Sequence, residues 1–443
     1  MRRSLFLFSA IVLVSGCASL SPMPALQPDV NKLLVTGHVD EAVQKISAES
    51  ADYGPGNYLL YYLDRGMIEH YAGKYADSEK SFEKAKQRFT ELYTKSITAE
   101  AESWLINDHT IPYCGSDYEY VLINVIQALN YVAQGNIAEA LVEARDLDAK
   151  YQVIDSAARN AKRAYFADNG FARFLMGILY EAEGTPADLQ DALLSYKEAL
   201  ALYEGYYAGA YTPQMLKENY MALADYLGNA MPGEEQKAVA GVHPEPLRER
   251  RKKSEVILIE LTGVAPVKVG EMVPLPIDGE FIVKMEFPKF VRRAAMNPAS
   301  RFVAEQNGIP RASKDSELGA DIEDIAVRDL DARRVSVLGK SVVRPALKYL
   351  ILRKQKENIE KHYGKLAADL FGVVGNLYNV YSEQADLRSW QALPGQIRVS
   401  RLVLDPGAYH LRLNSTAAPS KDLGDVNLNA GEIRFVITRT ALR

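Results

Sequence analysis

A glycine followed five residues later by a small residue recurs along the first half of the chain and constrains the fold more than any other feature. A glycine permits a tight turn between two helices, and a small residue lets their backbones approach closely. The pattern therefore predicts an array of helix pairs. The pairs of residues are Gly37 with Ala42, Gly73 with Ser78, Gly135 with Ala140, and Gly184 with Ala192, where three residues are added.

The copies of this pattern resemble the tetratricopeptide repeat, in which two antiparallel helices cross closely. In the second copy, Gly66 and Ser78 are expected at the crossing, with Phe82 and Ala85 facing the partner helix. The interval between successive glycines is irregular, so the resemblance is to a degenerate array, and a generic helical bundle is the alternative. The residues of the fullest copy are Tyr62, Gly66, Gly73, Tyr75, Ser78, Phe82 and Ala85.

Helical repeats of this kind leave a concave surface that commonly holds a peptide or a protein partner. Tyrosine is a frequent interface residue because it is large, rigid and amphipathic. Four tyrosines near the end of the helical half are therefore candidate partner-binding residues, and packing between helices is the other interpretation. They are Tyr203, Tyr206, Tyr207 and Tyr211.

The first residues of the chain have the pattern of a secretory signal. Arg2 and Arg3 precede an apolar stretch over residues 5–16 that is too short to span a membrane. The stretch ends at Val-Ser-Gly-Cys17, which resembles the bacterial lipobox. The resemblance implies that residues 1–16 are removed and that Cys17 carries acyl chains, with residues 17–28 forming a tether. A plain signal peptide is the alternative.

The lipobox resemblance also implies a location. Ala18 follows Cys17, and the sorting rule for bacterial lipoproteins then favours the outer membrane, with the protein on its periplasmic side. Three acyl chains exceed the two lipid signals that stable anchoring requires. The formal net charge of −5 is unfavourable for nucleic-acid binding, which usually depends on a basic face.

The character of the sequence changes after residue 230. Residues 29–230 are predicted as the helical domain, residues 231–254 as a linker containing the basic run Arg248–Lys253, and residues 255–443 as a C-terminal α+β domain. Short alternating segments separated by turn residues predict an antiparallel β-sandwich-like arrangement. The predicted strands cover residues 255–261, 280–287, 396–404, 409–413, 425–428 and 433–438.

A long helix is predicted within the C-terminal domain, from about Pro345 to Ser382. Its apolar residues alternate spacings of four and three, which places them on one seam. The seam is expected to dock on the sheet or on a neighbouring helix; membrane insertion is the less favoured alternative, because polar residues interrupt it. The seam residues are Ile359, Tyr363, Leu366, Leu370, Val373, Leu377 and Val380.

Two short motifs carry a second resemblance. One contains Gly263, Pro266 and Lys268; the other contains Asp386, Arg388 and Trp390 and reads ADLRSWQALP. Together with the lipobox and the helical repeats, they resemble a functionally uncharacterised family of bacterial outer-membrane lipoproteins, a resemblance that implies no activity. Asp386 and Arg388 are expected to pair while Trp390 packs beneath the closing hairpins, as a structural corner; a ligand site is the alternative.

Motifs for metal-dependent or nucleophilic catalysis are missing from the sequence. The six histidines do not have zinc-hydrolase spacing, and there is no CxxC pair and no GxSxG motif. We therefore predict no cofactor, no metal and no catalytic residue. The sequence predicts an α+β multidomain protein that acts as a non-catalytic adaptor for protein partners in cell-envelope assembly. The alternative is an envelope enzyme acting on peptidoglycan, with its site between the two halves.

Overall fold

The computed structural model describes residues 28–99, 112–160, 169–207, 211–276, 282–293, 299–382, 385–415 and 418–440. Cys17, the predicted signal and nearly all of the predicted tether lie outside these residues. Within them the chain is α+β, with a helical first half followed by β-sheets. The helices of the first half are α1 (Pro28–Val35), α2 (Val39–Ala48), α3 (Tyr58–Tyr71), α4 (Tyr75–Ala99), α5 (Asp117–Ala133), α6 (Ile137–Asn160), α7 (Gly170–Glu183), α8 (Pro186–Tyr207), α9 (Gln214–Leu227), α10 (Gly233–Ala238) and α11 (Leu247–Arg250).

The helices α1 to α8 form four consecutive pairs, and each pair also contacts the next one. The turn glycine of every pair has a positive φ, between 69° and 82°, which residues other than glycine rarely adopt. The pairing that the glycine pattern predicts is therefore present. The turn glycines are Gly37, Gly73, Gly135 and Gly184.

The second pair has the predicted close crossing. Ser78 Oγ donates a hydrogen bond of 2.7 Å to the carbonyl oxygen of Gly66. A Cβ atom added to Gly66 would lie 2.9 Å from the ring of Phe82, and both Phe82 and Ala85 are fully buried. The ring of Phe82 thus occupies the space that a side chain at residue 66 would need.

We expect Gly66→Leu to destabilise the protein by about 1–3 kcal/mol, because the added side chain overpacks this crossing. Chemical denaturation followed by circular dichroism measures the effect. Gly205→Leu is the matched control, since Gly205 is helical and has no atom within 4 Å of its added Cβ. Equal stability of the two variants would show that α3 and α4 do not cross at Gly66.

The second half contains ten strands and three further helices within the described residues. The strands are β1 (Ser254–Thr262), β2 (Val267–Pro276), β3 (Ile282–Val291), β4 (Arg301–Gln306), β5 (Ile309–Asp315), β6 (Glu317–Asp321), β7 (Gln396–Leu404), β8 (Gly407–Asn414), β9 (Lys421–Leu428) and β10 (Ile433–Thr440). The helices are α12 (Ile322–Ala332), α13 (Arg334–Tyr363) and α14 (Lys365–Ser382).

The strands form two four-stranded sheets and one hairpin. One sheet has the order β10-β1-β7-β6, the other has the order β5-β4-β8-β9, and β2 pairs with β3. Strands β1 and β10 run parallel, whereas the other pairings within the described residues are antiparallel. The first sheet is therefore mixed, which differs from the purely antiparallel arrangement predicted.

Strand β1 is buried on both faces and joins two cores. Its side chains alternate in direction: Val256 and Leu258 pack with the second sheet, whereas Ile257, Ile259 and Leu261 belong to the core of the helical half. The core of the helical half therefore also contains residues of the second half.

The segment predicted as a linker, residues 231–254, contains the short helices α10 and α11. Arg250, in its basic run, is only 1 % exposed and pairs with the carboxylates of Glu181 and, at 2.9 Å, Glu255. Two buried carboxylates from different elements thus surround one cation. This part of the basic run is therefore inside the protein and is not a solvated linker.

The prediction of one long helix ending at Ser382 is wrong. The helix is interrupted at Gly364, which has a φ of +86°, and α13 and α14 pack against each other as a helical hairpin. The predicted docking of the seam is also wrong for four of its residues, whose side chains are exposed because they lie on the outside of this hairpin. These residues are Tyr363, Leu366, Leu370 and Val373. Ile359 is half-buried, and the side chains of Leu377 and Val380 lie outside the described part of the structure.

Candidate functional site

The first tyrosine of the predicted partner-binding group is inside the protein. Tyr203 is 1 % exposed, and its hydroxyl donates to the carbonyl oxygen of Gly319 in strand β6. Its ring lies 3.1 Å from the position of an added Cβ on Gly170. The prediction that Tyr203 contacts a partner is therefore wrong: it joins helix α8 to strand β6.

The remaining tyrosines of this group have different positions. Tyr206 and Tyr207 are the last two residues of α8, and their side chains lie outside the described part of the structure. Tyr211 is half-buried, with its ring 5.9 Å from that of Tyr203. It lines an open depression of about 520 Å³. The other lining residues are Thr212, Pro213, Gln214, Lys314, Asp315, Glu317 and Leu318.

The two sequence motifs meet at the junction of the halves. Lys268 Nζ donates 2.9 Å to the carbonyl oxygen of Arg388, and the Ala265 amide donates 2.9 Å to that of Leu393. Residues 385–395, which we call the crossing segment, pack between the helical half and the loop after strand β1. The motifs are thus parts of one contact, although more than a hundred residues of sequence separate them.

The second motif forms the ion pair that its sequence predicts. Arg388 Nε and Nη2 each donate 2.8 Å to the carboxylate of Asp386. Burial raises the pKa of Asp386, but the bonds and charge of Arg388 outweigh it and hold that pKa below its ordinary value. Arg388 Nη1 also donates 2.9 Å to the side chain of Asn57, and its guanidinium lies 5.4 Å from the centre of the Tyr113 ring.

Trp390 packs on the helices and not beneath the closing hairpins, so that part of the prediction is wrong. It is fully buried, and its ring meets that of Phe82 edge-on, with 5.7 Å between centroids. The Trp390 amide donates 2.7 Å to Glu119 Oε1. The indole therefore packs beside the helix crossing at Gly66, where a glycine leaves room for the Phe82 ring.

The first motif shapes the loop that receives the crossing segment. Gly263 is buried with a φ of +67°, and Pro266 is buried as well. The Gly395 amide donates 2.9 Å to the carbonyl oxygen of Thr262. A Cβ on Gly395 would lie 2.9 Å from the Val264 carbonyl oxygen, so the two chain segments approach at backbone distance.

Residues that the sequence analysis did not single out hold the backbone of the crossing segment. Asp64 Oδ1 accepts a bond of 3.1 Å from the Ala392 amide. Tyr71 Oη donates 3.1 Å to the Ala392 carbonyl oxygen, and Arg293 Nη2 donates 2.7 Å to that of Gln391. Side-chain donors and acceptors from both halves thus bind the main chain of this segment.

Glu119 has one feature that is visible in the sequence. It stands three residues after Ser116 and accepts a 2.8 Å bond from the Ser116 amide, which is half of a capping box at the start of α5. Its Oε2 also accepts from Tyr113 Oη at 2.5 Å. The capping pattern predicts the helix start, but the contact with Trp390 depends on tertiary structure and has no local signal.

Burial shifts the pKa values of three other groups at this junction. It raises the pKa of Asp64 to about 7, although the bonds from Ala392 and Tyr53 oppose the shift. It likewise raises the pKa of Asp329 to about 6, against the charge of Arg333. It lowers the pKa of Lys268, although Asp386 opposes the change. These groups are engaged with the protein's own backbone and side chains.

The raised pKa of Asp64 predicts a pH dependence of stability. The folded state keeps this proton up to about pH 7, whereas an unfolded aspartate loses it near its ordinary pKa of 3.8. Asp64 therefore makes the free energy of unfolding fall as pH rises from about 4 to about 7. We expect Asp64→Asn, which cannot ionise, to show a smaller fall across this window in denaturation curves.

Asp77→Asn is the matched control for this measurement, because Asp77 is exposed and pairs with Lys80 on the surface. The control is expected to keep the pH dependence of the parent protein between about pH 4 and 7. A parent and an Asp64→Asn variant with parallel curves over this window would contradict the assignment.

Metal-binding clusters and membrane-spanning helices are both missing from the part of the chain that the structure describes. No group of three or more histidine, cysteine, aspartate or glutamate side chains there is placed to hold a metal ion. None of the helices in these ranges is long and apolar enough to cross a membrane. In comparison with known proteins, the chain matches no family model, no curated protein and no solved structure.

Proposed function

We propose that this chain is a periplasm-facing outer-membrane lipoprotein that acts as a non-catalytic adaptor for protein partners in cell-envelope assembly. In this proposal, the helix pairs are degenerate tetratricopeptide-like repeats, and the two larger sheets form a sandwich-like domain. Cys17 carries the lipid, and a secretion, surface-appendage or cell-wall synthesis machine supplies the partner. Membership of the uncharacterised lipoprotein family belongs to the same proposal.

The acidic groups between the halves give the most direct support for an adaptor, because they bind the protein's own backbone. Asp64 and Glu119 accept bonds from the amides of the crossing segment, so they hold the protein's own chain. A glycosidase acting on peptidoglycan generally uses two carboxyl groups that flank the scissile glycosidic bond. The open depression beside Tyr211 does contain two carboxylates, but each is paired with a cation: Asp315 accepts bonds of 2.8 and 2.9 Å from Arg301, and Glu317 lies 3.7 Å from Lys314 Nζ.

The depression beside Tyr211 is the partner-binding surface in this proposal. Placing a photo-crosslinking amino acid at the exposed Gln214 in living cells is expected to give a discrete adduct that mass spectrometry identifies. The same amino acid at Lys237, an exposed residue of α10, is the matched control. Identical adducts from both positions, or none from residue 214, would reject this surface.

The anchor requires a separate experiment. Cys17→Ser is expected to leave the protein unacylated, because no thiol remains at the modification site, and to allow its release from the membrane fraction by a high-salt wash. Mass spectrometry of the N-terminal peptide and membrane fractionation measure the two effects. An unmodified N-terminus in the parent protein would refute the lipoprotein assignment without affecting the adaptor surface.

The enzyme alternative has its own discriminating result. A single carboxylate or histidine substitution that abolishes the cellular phenotype, while stability and crosslinking stay normal, would favour catalysis. Glu317→Gln is the first variant to test, since Glu317 is an acidic residue that lines the depression. We expect this variant to keep its phenotype if the protein is an adaptor.

A further inference from the structure

Helix α14 carries an apolar ridge on its outer side, formed by Leu366, Leu370 and Val373. These side chains are 87 %, 67 % and 59 % exposed. Their spacing of four and three residues places them on one face. The opposite face contains Ala368, which is fully buried, and Gly372, which lies against Lys356 of α13. The ridge therefore faces away from α13, the other helix of the hairpin. A contiguous exposed apolar surface of this kind indicates an interaction site.

The helical hairpin is basic in an otherwise acidic protein. Residues 334–382 contain nine basic and three acidic residues, a net charge of +6, whereas the whole chain carries −5, so the other residues carry −11. The acidic residues are Glu357, Glu360 and Asp369. The basic residues are Arg334, Lys340, Arg344, Lys348, Arg353, Lys354, Lys356, Lys361 and Lys365.

The charges and the ridge lie close together. Lys361 and Lys365 flank the turn at Gly364 and are exposed, and Lys365 directly precedes Leu366. Long basic side chains beside an apolar face extend toward water while their stems cover apolar surface. This combination of an apolar face with basic flanks is characteristic of helices that lie in a membrane interface.

We propose that the α13–α14 hairpin binds an anionic phospholipid surface, with Leu366, Leu370 and Val373 among the headgroups and with Lys361 and Lys365 against the phosphates. The hairpin does not span the bilayer in this arrangement. The inference rests on the proposed lipid anchor for the protein's location at a membrane, but the binding itself depends only on the described hairpin.

The position of the tether is compatible with this contact. Strand β3 contacts both α13 and α14, and Arg293, just after β3, donates 2.9 Å to Asn31 of α1. Pro28 follows Cys17 by eleven residues, which extend at most about 40 Å. Helix α1, the first element after the predicted anchor, therefore lies near the strand that supports the hairpin.

Charge also distinguishes a lipid surface from the other possible occupants of the ridge. A symmetric dimer through this face would bring two hairpins of net charge +6 together, which repulsion opposes. A soluble polyanion would satisfy the basic residues but would leave the ridge exposed to water. An anionic bilayer offers both an apolar layer and phosphate groups.

The test uses residues 18–443, which include every described residue and cannot be acylated at Cys17. Flotation measures binding to vesicles of phosphatidylethanolamine and phosphatidylglycerol, and to vesicles of phosphatidylcholine alone. We expect binding to the anionic vesicles that is at least about tenfold stronger and that weakens with added salt. Equal binding to both vesicles, or binding to neither, would overturn the proposal.

Substitutions identify the surface. Replacing Leu366, Leu370 and Val373 by serine is expected to reduce binding about tenfold or more, because the inserted apolar area is lost. The matched control replaces three exposed apolar residues of the helical half by serine and is expected to bind normally. The control residues are Val142, Val153 and Leu194, which are 51 %, 46 % and 55 % exposed.

Charge reversal tests the contribution of the basic residues beside the ridge. Lys361→Glu with Lys365→Glu is expected to reduce binding to anionic vesicles by about tenfold or more, whereas Lys80→Glu with Lys237→Glu, at exposed positions elsewhere, leaves it unchanged. Equal losses in both pairs would reject a hairpin-specific contact.

Light scattering of the parent protein and of the triple serine variant tests whether a second copy of the chain occupies the ridge. A parent dimer that becomes a monomer in the variant would assign the ridge to a second copy and overturn the proposal. Because Cys17 is absent from this chain, these results do not depend on acylation. The Cys17→Ser experiment can therefore fail while vesicle binding succeeds, and the reverse also holds.

Discussion

Trp390→Ala is expected to lower the free energy of unfolding by about 3–5 kcal/mol, because it empties a large space in a packed core. The indole is fully buried against Phe82, and the backbone beside it is held by Glu119. A loss of this size is a large share of the total stability of a typical protein. Urea denaturation followed by far-ultraviolet circular dichroism measures it.

Tyr58→Ala is the control for this substitution, since Tyr58 is an aromatic residue of α3 that is 44 % exposed. We expect a change within about 0.5 kcal/mol for the control. If Trp390→Ala costs no more than Tyr58→Ala, the crossing segment does not belong to the core, and the contact between the halves is incidental.

Arg250→Met is expected to destabilise the protein by about 3–5 kcal/mol, because it leaves buried carboxylates without their cation. Arg250 pairs with Glu181 and Glu255, whose side chains are both 5 % exposed. Arg401 lies 3.5 Å from Glu255 and stays in place. The loss of the Arg250 charge therefore affects Glu181 most. Denaturation at about pH 7 measures the effect.

Lys252→Met is the matched control, because Lys252 belongs to the same basic run as Arg250 but is exposed. It pairs with Glu249 at 2.8 Å on the surface. Surface pairs of this kind contribute about 0–1 kcal/mol, so the control is expected to be nearly neutral. Equal effects of the two methionine variants would contradict the buried position of Arg250.

The pH dependence of the Arg250→Met variant gives a second readout. Burial already raises the pKa of Glu255, while Arg401 and Arg250 oppose the rise. Removing Arg250 raises that pKa further, so the folded variant binds a proton more readily than the unfolded chain does. The stability difference between variant and parent is therefore expected to shrink as pH falls from about 7 toward about 5.

Local features of the fold are accessible from the sequence. The turn glycines predict the helix pairs because a positive φ restricts the residue type, and Gly73 is one such position. Alternating apolar residues predict β7 with its bounds of Gln396 and Leu404. Strand β5 lacks this alternation and contains Pro310 at a sheet edge, so its sequence carries no strand signal.

The long-range features are not accessible in this way. Asp386 and Arg388 are two residues apart, so their pairing follows from local geometry. The contact of Trp390 with Phe82 joins elements that are distant in sequence, and nothing near either residue specifies it. The prediction for Tyr203 fails for the same reason, since its partner Gly319 lies in the other half of the chain.

The position of the crossing segment has a consequence for biogenesis. Glu119 and Trp390 are 271 positions apart, so the early helices emerge from the ribosome roughly 14–54 s before their tryptophan at about 5–20 residues per second. During that interval the apolar side chains around Phe82 are not buried by Trp390, and aggregation competes with folding. We therefore expect the newly made chain to depend on a holdase until its C-terminal strands arrive.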